Sequence, residues 1–417
     1  MCKAFGIIAI VLAKISVVTP EIIAPSDTAR SSQATYNGLQ TSIDNARAGD
    51  TLLLKIGRYE ATPKSYREAI CGNCFAPLTE VNASVGFHIK GKPLVIIGED
   101  QDSTLLVTNG GYGILLENSF GSYVGNLTVT GGIRDPDGNA TDAAFVVKNG
   151  RVTLENVRIT NNTHRIDTLV VGIGGIFGRE GAELFIFNNI IRNNGWDGVA
   201  LYRGATAVIA DNVIEAGRGA GIGITWDATA ILYRNRIAGY WKGIGGFGDS
   251  RVVVRNNVVF DNLGWGIIAT GNTYMEVANN VVYHNGNCGC AVWKETARGI
   301  FKNNIIVKNG WKEQWVCPGV GIWMNTSVEN FPIVYNNVWN NTAGNYEGIK
   351  DQTDVNGNIS QDPLFKDDRS FRLTLKSPCI DTGDPEIVDP DGTRSDMGGF
   401  GGPLARWQYR VGRRFQK

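Results

Sequence analysis

Net charge, histidine and helical periodicity are all scarce in this chain, and each scarcity removes a class of function. Charged residues are 19% of the 417 positions and balance at 40 basic against 40 acidic. A chain with no net field gathers no phosphate backbone, so nucleic acid is not an expected partner, although an acidic polymer could still meet a local basic stripe. The only histidines are His88, His164 and His284. They cannot complete the half zinc site that Cys71-Gly-Asn-Cys74 resembles, and Cys288-Gly-Cys290 has the wrong spacing for the other half. Apolar residues run consecutively or alternate instead of recurring at three and four, and Val, Ile and aromatics dominate, which reads as short strands.

The first residues, "MCKAFGIIAIVLAKISVV", give a basic start and an apolar run from Ala4 to Ala13 that Lys14 interrupts. A signal peptide and leader over residues 1–30 is the expectation, with a secreted or cell-surface destination; an ordinary buried N-terminal strand is the alternative. No later segment is long enough to span a membrane. Leaving Cys2 aside, six cysteines remain, at 71, 74, 288, 290, 317 and 379. An even set in an exported chain reads as disulfides, with Cys317 pairing back to Cys288 or Cys290.

What the chain has in abundance is glycine, 53 residues, and repetition. Small residues preceding an apolar pair recur at Gly113, Ala144, Gly175, Gly198, Gly221, Gly243, Gly266, Cys290 and Gly321, at intervals of 31, 31, 23, 23, 22, 23, 24 and 31. Fourteen residues past six consecutive anchors stand Asn189, Asn212, Asn235, Asn257, Asn280 and Asn304, and Asn337 takes that place in the last unit after a two-residue insertion. Asparagine tolerates the left-handed backbone of a sharp corner, and its amide can bond to the equivalent amide one turn above and below. Two or three short strands per turn of about 23 residues make a parallel β-helix with rungs about 4.8 Å apart. A leucine-rich repeat has a similar period, but its leucine scaffold and helical stretches are missing.

With these repeats the chain resembles the right-handed parallel β-helix proteins of the pectate-lyase-like superfamily, with PbH1-type repeats, over residues 35 to about 400. The resemblance implies a single-stranded all-β solenoid. "NGLQTSIDNARAGDTLLLKIGRYE", Asn37 to Glu60, looks like its N-terminal amphipathic lid, offering an N-cap, Leu39 and Ile43 on one face and Gly49 as a stop. "NISQDPLF", "SPCIDTGDP" and "DPDGTRSDMGGFGGP" resemble its C-terminal segment. The expected organisation is a cap and first rungs over 31–110, repeats over 111–345 and a C-terminal capping segment over 346–417.

Counting from each anchor, position four reads Glu117, Lys148, Arg179, Tyr202, Thr225, Phe247, Thr270, Lys294 and Asn325, and alternation turns this column to solvent. Position five adds Glu180, Arg203, Trp226 and Glu295. In the resembled enzymes a sugar chain lies along such a face; a plain solvated surface is the alternative. Position six brings Asp227 and Asp249 onto adjacent rungs, about 5 Å apart, which is the spacing of a retaining glycosidase, with Glu295 as a third carboxylate. Simple turn residues are the other reading of both aspartates. A lyase needs a base for the C5 proton of a uronate and a cation to neutralise its carboxylate. Arg203, Lys242, Lys294 and Arg298 are the basic residues near the expected face, without the local arginine and aspartate motifs of pectate lyases or the paired aspartates of polygalacturonases. Trp196, Trp241, Trp265 and Trp311 precede four anchors, and with Trp226 and Tyr202 they are candidates to stack on sugar rings; core packing is the alternative.

"DPDGN" at Asp135 and "DPDGTRSD" at Asp389 resemble fragments of calcium loops but lack the full ligand set, so backbone capping is expected, with Ca2+ left open as a cofactor. The expectation is therefore a monomeric polysaccharide-binding and polysaccharide-cleaving protein, a uronate lyase ahead of a glycoside hydrolase. The alternative is a non-catalytic surface or adhesion protein that displays a carbohydrate-binding face.

Overall fold

The computed structural model describes residues 34–166, 169–312 and 316–405; the expected signal segment lies outside them. Three parallel sheets of 12, 12 and 11 strands run the length of the molecule. One turn shows the plan: Lys242–Gly246 lies in sheet I, Arg251–Arg255 in sheet II and Val258–Phe260 in sheet III, and the next turn begins again in sheet I at Trp265–Ala269. Each strand pairs with its equivalent one turn away, as Lys242 does with Ala220 and Trp265. Valine, isoleucine and leucine fill the inward positions. Ile222, Ile244, Ile267 and Ile322 stack in one column and are at most 1% exposed. Burying such a side chain contributes about 1.5–3 kcal/mol, so a solenoid built of them needs no second core.

The anchor residue is a glycine in most turns, with Ala144 the exception, because the corner from sheet III into sheet I leaves little room for a Cβ. On Gly243 it would stand 2.3 Å from Val259 Cγ1 and 2.5 Å from the Gly266 carbonyl; on Gly266, 2.6 Å from Val282 Cγ1 and 2.5 Å from the Gly289 carbonyl. The same crowding identifies Gly289 as an anchor, not Cys290: Ile267, which follows Gly266, pairs with Cys290, and Cys290 with Ile322. Trp293 therefore takes position four in that turn, and Lys294 and Glu295 move to positions five and six.

The asparagine column divides its labour in a way the repeat did not show. The left-handed residue is the one before it: Asn188, Asp211, Arg234, Asn256, Asn279 and Asn303 have φ between 53° and 60°. Asn189, Asn212, Asn235, Asn257, Asn280 and Asn304 form the ladder itself, each Nδ2 donating to the next Oδ1 at 2.9–3.1 Å. The ladder continues through Asn336 to Asn358, so Asn337 is not its next member. Tyr335 takes the left-handed position there, and Asn337 donates to Gln361 O and Cys379 Sγ instead. A second ladder, Asn262–Asn285–Asn309–Asn341, follows five residues later in each turn with bonds of 2.9 Å.

The N-terminal lid is the helix Leu39–Asn45, which buries Leu39 and Ile43. Gly38 precedes it without a side-chain capping bond, so the expected N-cap is absent. At the other end Tyr346 and Ile349 pack on the core. The following segment turns back along the outside of sheet III, where Phe371, Cys379 and Met397 bury Val258, Val281 and Ile305. Cys71 pairs with Cys74 and Cys288 with Cys317. Cys290 and Cys379 are buried and unpaired, which departs from the fully bridged set expected; Cys290 stands in the isoleucine column. No helix among the described residues is long and apolar enough to cross a membrane.

Candidate active site

Among the described residues, the long excursions at 61–80 and 131–142 leave the solenoid at the corner between sheets III and I, and the segment carrying Cys317 and Val320 leaves at the same corner. They place side chains and backbone on the outer face of sheet I. The first folds a strand, Lys64–Glu68, antiparallel onto Val81–Lys90 and is clamped by Arg179, which is 0% exposed. The guanidinium donates to Glu68 Oε1 at 2.9 Å, Thr141 Oγ1 at 2.7 Å, Ile70 O at 2.5 Å and Glu180 at 2.8 Å. Lys148 adds bonds to Glu68 and, at 3.0 Å, to the Tyr66 hydroxyl. Glu117, Lys148 and Arg179 were expected on a solvent face; they hold this insertion down instead. Farther along, Trp265, Ile268, Cys288, Ala291, Cys317 and Val320 form an apolar cluster on the same outer face.

Between the two covered stretches lie Ala200, Gly223 and Gly245, themselves buried, with Ala200 under the cluster of Phe177, Tyr202 and Trp226 and the Phe247 ring against Gly245. A cleft of about 280 Å³ lies at the edge of this stretch, lined by Trp196, Tyr202, Phe177, Asp142, Arg134 and the Cys71–Cys74 loop. The residue before each anchor points outward, and in successive turns it is Asp197, Ala220, Lys242 and Trp265. Asp197 and Lys242 thus flank Ala220, two rungs or about 10 Å apart. The Asp197 carboxylate accepts the Ala220 amide at 2.6 Å, and its other oxygen lies 3.9 Å from where a Gly223 Cβ would be. Burial pushes its carboxyl up to about 6, against the Ala220 hydrogen bond and the Lys242 charge. Burial likewise lowers the Lys242 ammonium, with Asp197 opposing, and raises the Tyr202 phenol well above its ordinary value, with Asp197 adding to the effect. Arg134 and Arg218 stand over the Trp196 indole at 5.5 and 5.8 Å.

A second carboxyl pair stiffens the cleft wall. Asp135 accepts from the Ser84 amide at 2.8 Å and its hydroxyl at 2.6 Å, and Asp142 accepts the Asp135 amide at 2.9 Å. A Cβ on Gly111 would stand 2.1 Å from Asp135 Oδ2 and 2.5 Å from Asp142 Oδ1, so the two oxygens meet above that glycine. Burial first, then the charge of Asp135, pushes the Asp142 carboxyl up to about 7. Asp137 accepts the Asn82 and Asn139 amides, so the "DPDGN" turn works as backbone capping. In the other acidic turn Asp389 accepts the Asp396 and Gly402 amides. Among the described residues no group of three or more His, Cys, Asp or Glu side chains converges as a metal site.

The candidates from sequence fall into four groups. Trp196 and Tyr202 line the cleft, and Lys242 shares the outward file of Asp197. Arg203 and Trp226 stack on one another at its rim, 4.7 Å from guanidinium to ring. Asp227, Asp249, Lys294 and Glu295 are exposed along the turns from sheet I to sheet II. There Asp227 accepts the Gly204 amide at 2.8 Å and Asp249 the Asn272 side-chain amide at 2.7 Å. Trp241 and Trp265 meet edge to face at 5.9 Å in the aromatic cluster, where Trp265 is buried, while Trp311 stacks on His284. Asp197, Asp142, Arg134 and Arg218 were not singled out. Asp197 in "GWDGV" had a visible signal, since it holds the same place before its anchor as Lys242 in "YWKGI".

The model of the right-handed beta helix region matches residues 101–225 and 174–343, which together span more than half of the chain. Among solved structures, the Azotobacter vinelandii mannuronan C-5 epimerase AlgE4 A-module is 16% identical, covering 77% of this chain and 92% of that one, with a TM-score of 0.48. The pectate lyase Pel9A is 16% identical over 86% of this chain and 90% of that one, TM-score 0.44. The periplasmic alginate epimerase AlgG is 14% identical over 66% and 75%, TM-score 0.44. No curated protein sequence matches. The three sheets, the anchor glycines and the match over 101–343 lead to one conclusion: the chain belongs to the right-handed parallel β-helix family.

Proposed function

We propose that the cleft on sheet I binds an acidic polysaccharide outside the cell and cleaves it by β-elimination. The observation that carries this is the placing of Asp197 and Lys242 in one outward file with only Ala220 between them, next to the cleft that Trp196 and Tyr202 line. In this reading Asp197, with its carboxyl near 6, takes the C5 proton of a uronate. The electron pair forms the C4–C5 double bond, the C4–O4 bond breaks, and O4 departs with a proton from the Tyr202 phenol. Lys242, Arg134 and Arg218 offset the uronate carboxylate, whose charge grows as the C5 proton leaves. Trp196 gives a sugar ring an apolar plane. Asp227, Asp249, Lys294 and Glu295 line the turns beside sheet I and would meet hydroxyls farther along the chain.

The test is incubation with a panel of uronate and neutral polysaccharides. Unsaturated product absorbing in the ultraviolet supports elimination; new reducing ends without it support hydrolysis. Neither product, with binding retained, supports a display protein.

A further inference from the structure

The turns from sheet I to sheet II carry a left-handed residue in successive rungs, and in most families of corners that residue is Gly or Asn. Here Asn118, Asn149, Gly248 and Gly271 occupy it in four turns, at φ 53°, 45°, 71° and 77°. In the three turns between, it is Glu180, Arg203 and Trp226, at φ 48°, 49° and 62°. Each such backbone costs on the order of 1 kcal/mol, and glycine two rungs away shows that the corner has no need of it. The side chains must be what is kept. Glu180 is used by Arg179. Arg203 and Trp226 reach the solvent rim of the cleft, stacked 4.7 Å apart. Arg203 is held there by a bond from Nη2 to the Cys74 carbonyl, and the Cys71–Cys74 disulfide closes that loop. The next residue, Phe75, is 91% exposed, its ring 6.3 Å from that of Trp226 and inclined at 56°. Trp226 covers the cluster of Ala200, Phe177 and Tyr202 from outside and Arg203 ties down the disulfide loop, but the almost fully exposed Phe75 beside them has no such role in the fold.

We infer that Phe75, Trp226 and Arg203 form a second sugar subsite at the rim of the cleft, which stacks one ring of a long polysaccharide and gives its acidic or hydroxyl groups a cation to bond. The inference rests on the polysaccharide reading of the cleft and adds where a chain continues after leaving it. Its test reads binding, not turnover, in the Asp197→Asn background with ligand integrity checked by mass. Phe75→Ala and Trp226→Gly should each weaken binding of a uronate octasaccharide about tenfold, the worth of one aromatic contact, and leave a uronate disaccharide unchanged. In Trp226→Gly the relieved corner offsets part of the packing lost with the indole, and a cooperative melt checks that the variant is folded. Octasaccharide affinity unchanged in both variants overturns the subsite, as does failure of every chain to bind. A neutral octasaccharide that binds with the same dependence on Phe75 and Trp226 upholds the subsite while removing the uronate reading. Unchanged affinities, together with unsaturated product formed by the parent protein, do the reverse.

Discussion

Asp197 and Lys242 stand two rungs apart in one outward file, separated by the buried Ala220, so opposite charges share one file without touching. If that pair performs the chemistry, Asp197→Asn and Lys242→Gln each lower the elimination rate by about 10²–10⁴. Both side chains are outside the solenoid core, so thermal melting should stay within a few degrees of the parent. Initial rates of ultraviolet product formation, alongside melting curves, check both halves.

The pH dependence of stability should carry the mark of Asp142. Its carboxyl is raised from the ordinary range to about 7 in the folded chain, so the folded state holds a proton that the unfolded state gives up near pH 4. The stability this adds is fully present below about pH 4 and is lost as pH rises to about 7. Asp197 and Asp396, both raised to about 6, slope the same way, so the informative quantity is a difference. Asp142→Asn should flatten the fall in urea stability between pH 5 and pH 8, and an unchanged slope would contradict a carboxyl raised there by burial and by Asp135.

Asn235 accepts from Asn212 and donates to Ile209 O and Asn257 Oδ1, all in the interior. Asn235→Ala strands those partners and should cost about 3 kcal/mol or more in denaturant unfolding. Asn188→Gly, at φ 56° and outside the ladder, should change stability by less than about 1 kcal/mol.

Gly243→Ala places a methyl 2.3 Å from Val259 Cγ1 and 2.5 Å from the Gly266 carbonyl. Destabilisation of about 1–3 kcal/mol is expected, as for other overpacked sites. The same change at Gly181, whose Cβ meets nothing within 4 Å but whose φ is +73°, isolates the backbone cost from the steric one.

Architecture was legible in the sequence because each turn must repeat its corners. The places where register was misread are those where another residue took a corner's usual part. Tyr335 assumed the left-handed position and moved the ladder from Asn337 to Asn336. Cys290 filled an isoleucine site beside the true anchor Gly289; the interval of 24 among intervals of 23 was the trace it left. The second ladder was also in view, as the last asparagine of "NNVVFDN" and "NNVVYHN". The cleft was less legible, because its walls come from excursions with no repeat. Nothing local in "DPDGN" or "CGNC" says that both fold over Phe177 and Tyr202. Position four misled for the same reason: alternation turns Arg179 outward, but only the tertiary structure brings residues 61–80 down upon it.

The central claim is that Asp197 abstracts a proton from a uronate and that no water enters the products. Mass spectrometry of a saturated oligouronate after incubation with the parent protein tests it most directly. Two fragments whose masses add to that of the starting chain, one carrying the unsaturated sugar and both absent with Asp197→Asn, are the predicted result. Fragments heavier by one water, or unsaturated fragments formed as fast by Asp197→Asn, would contradict it.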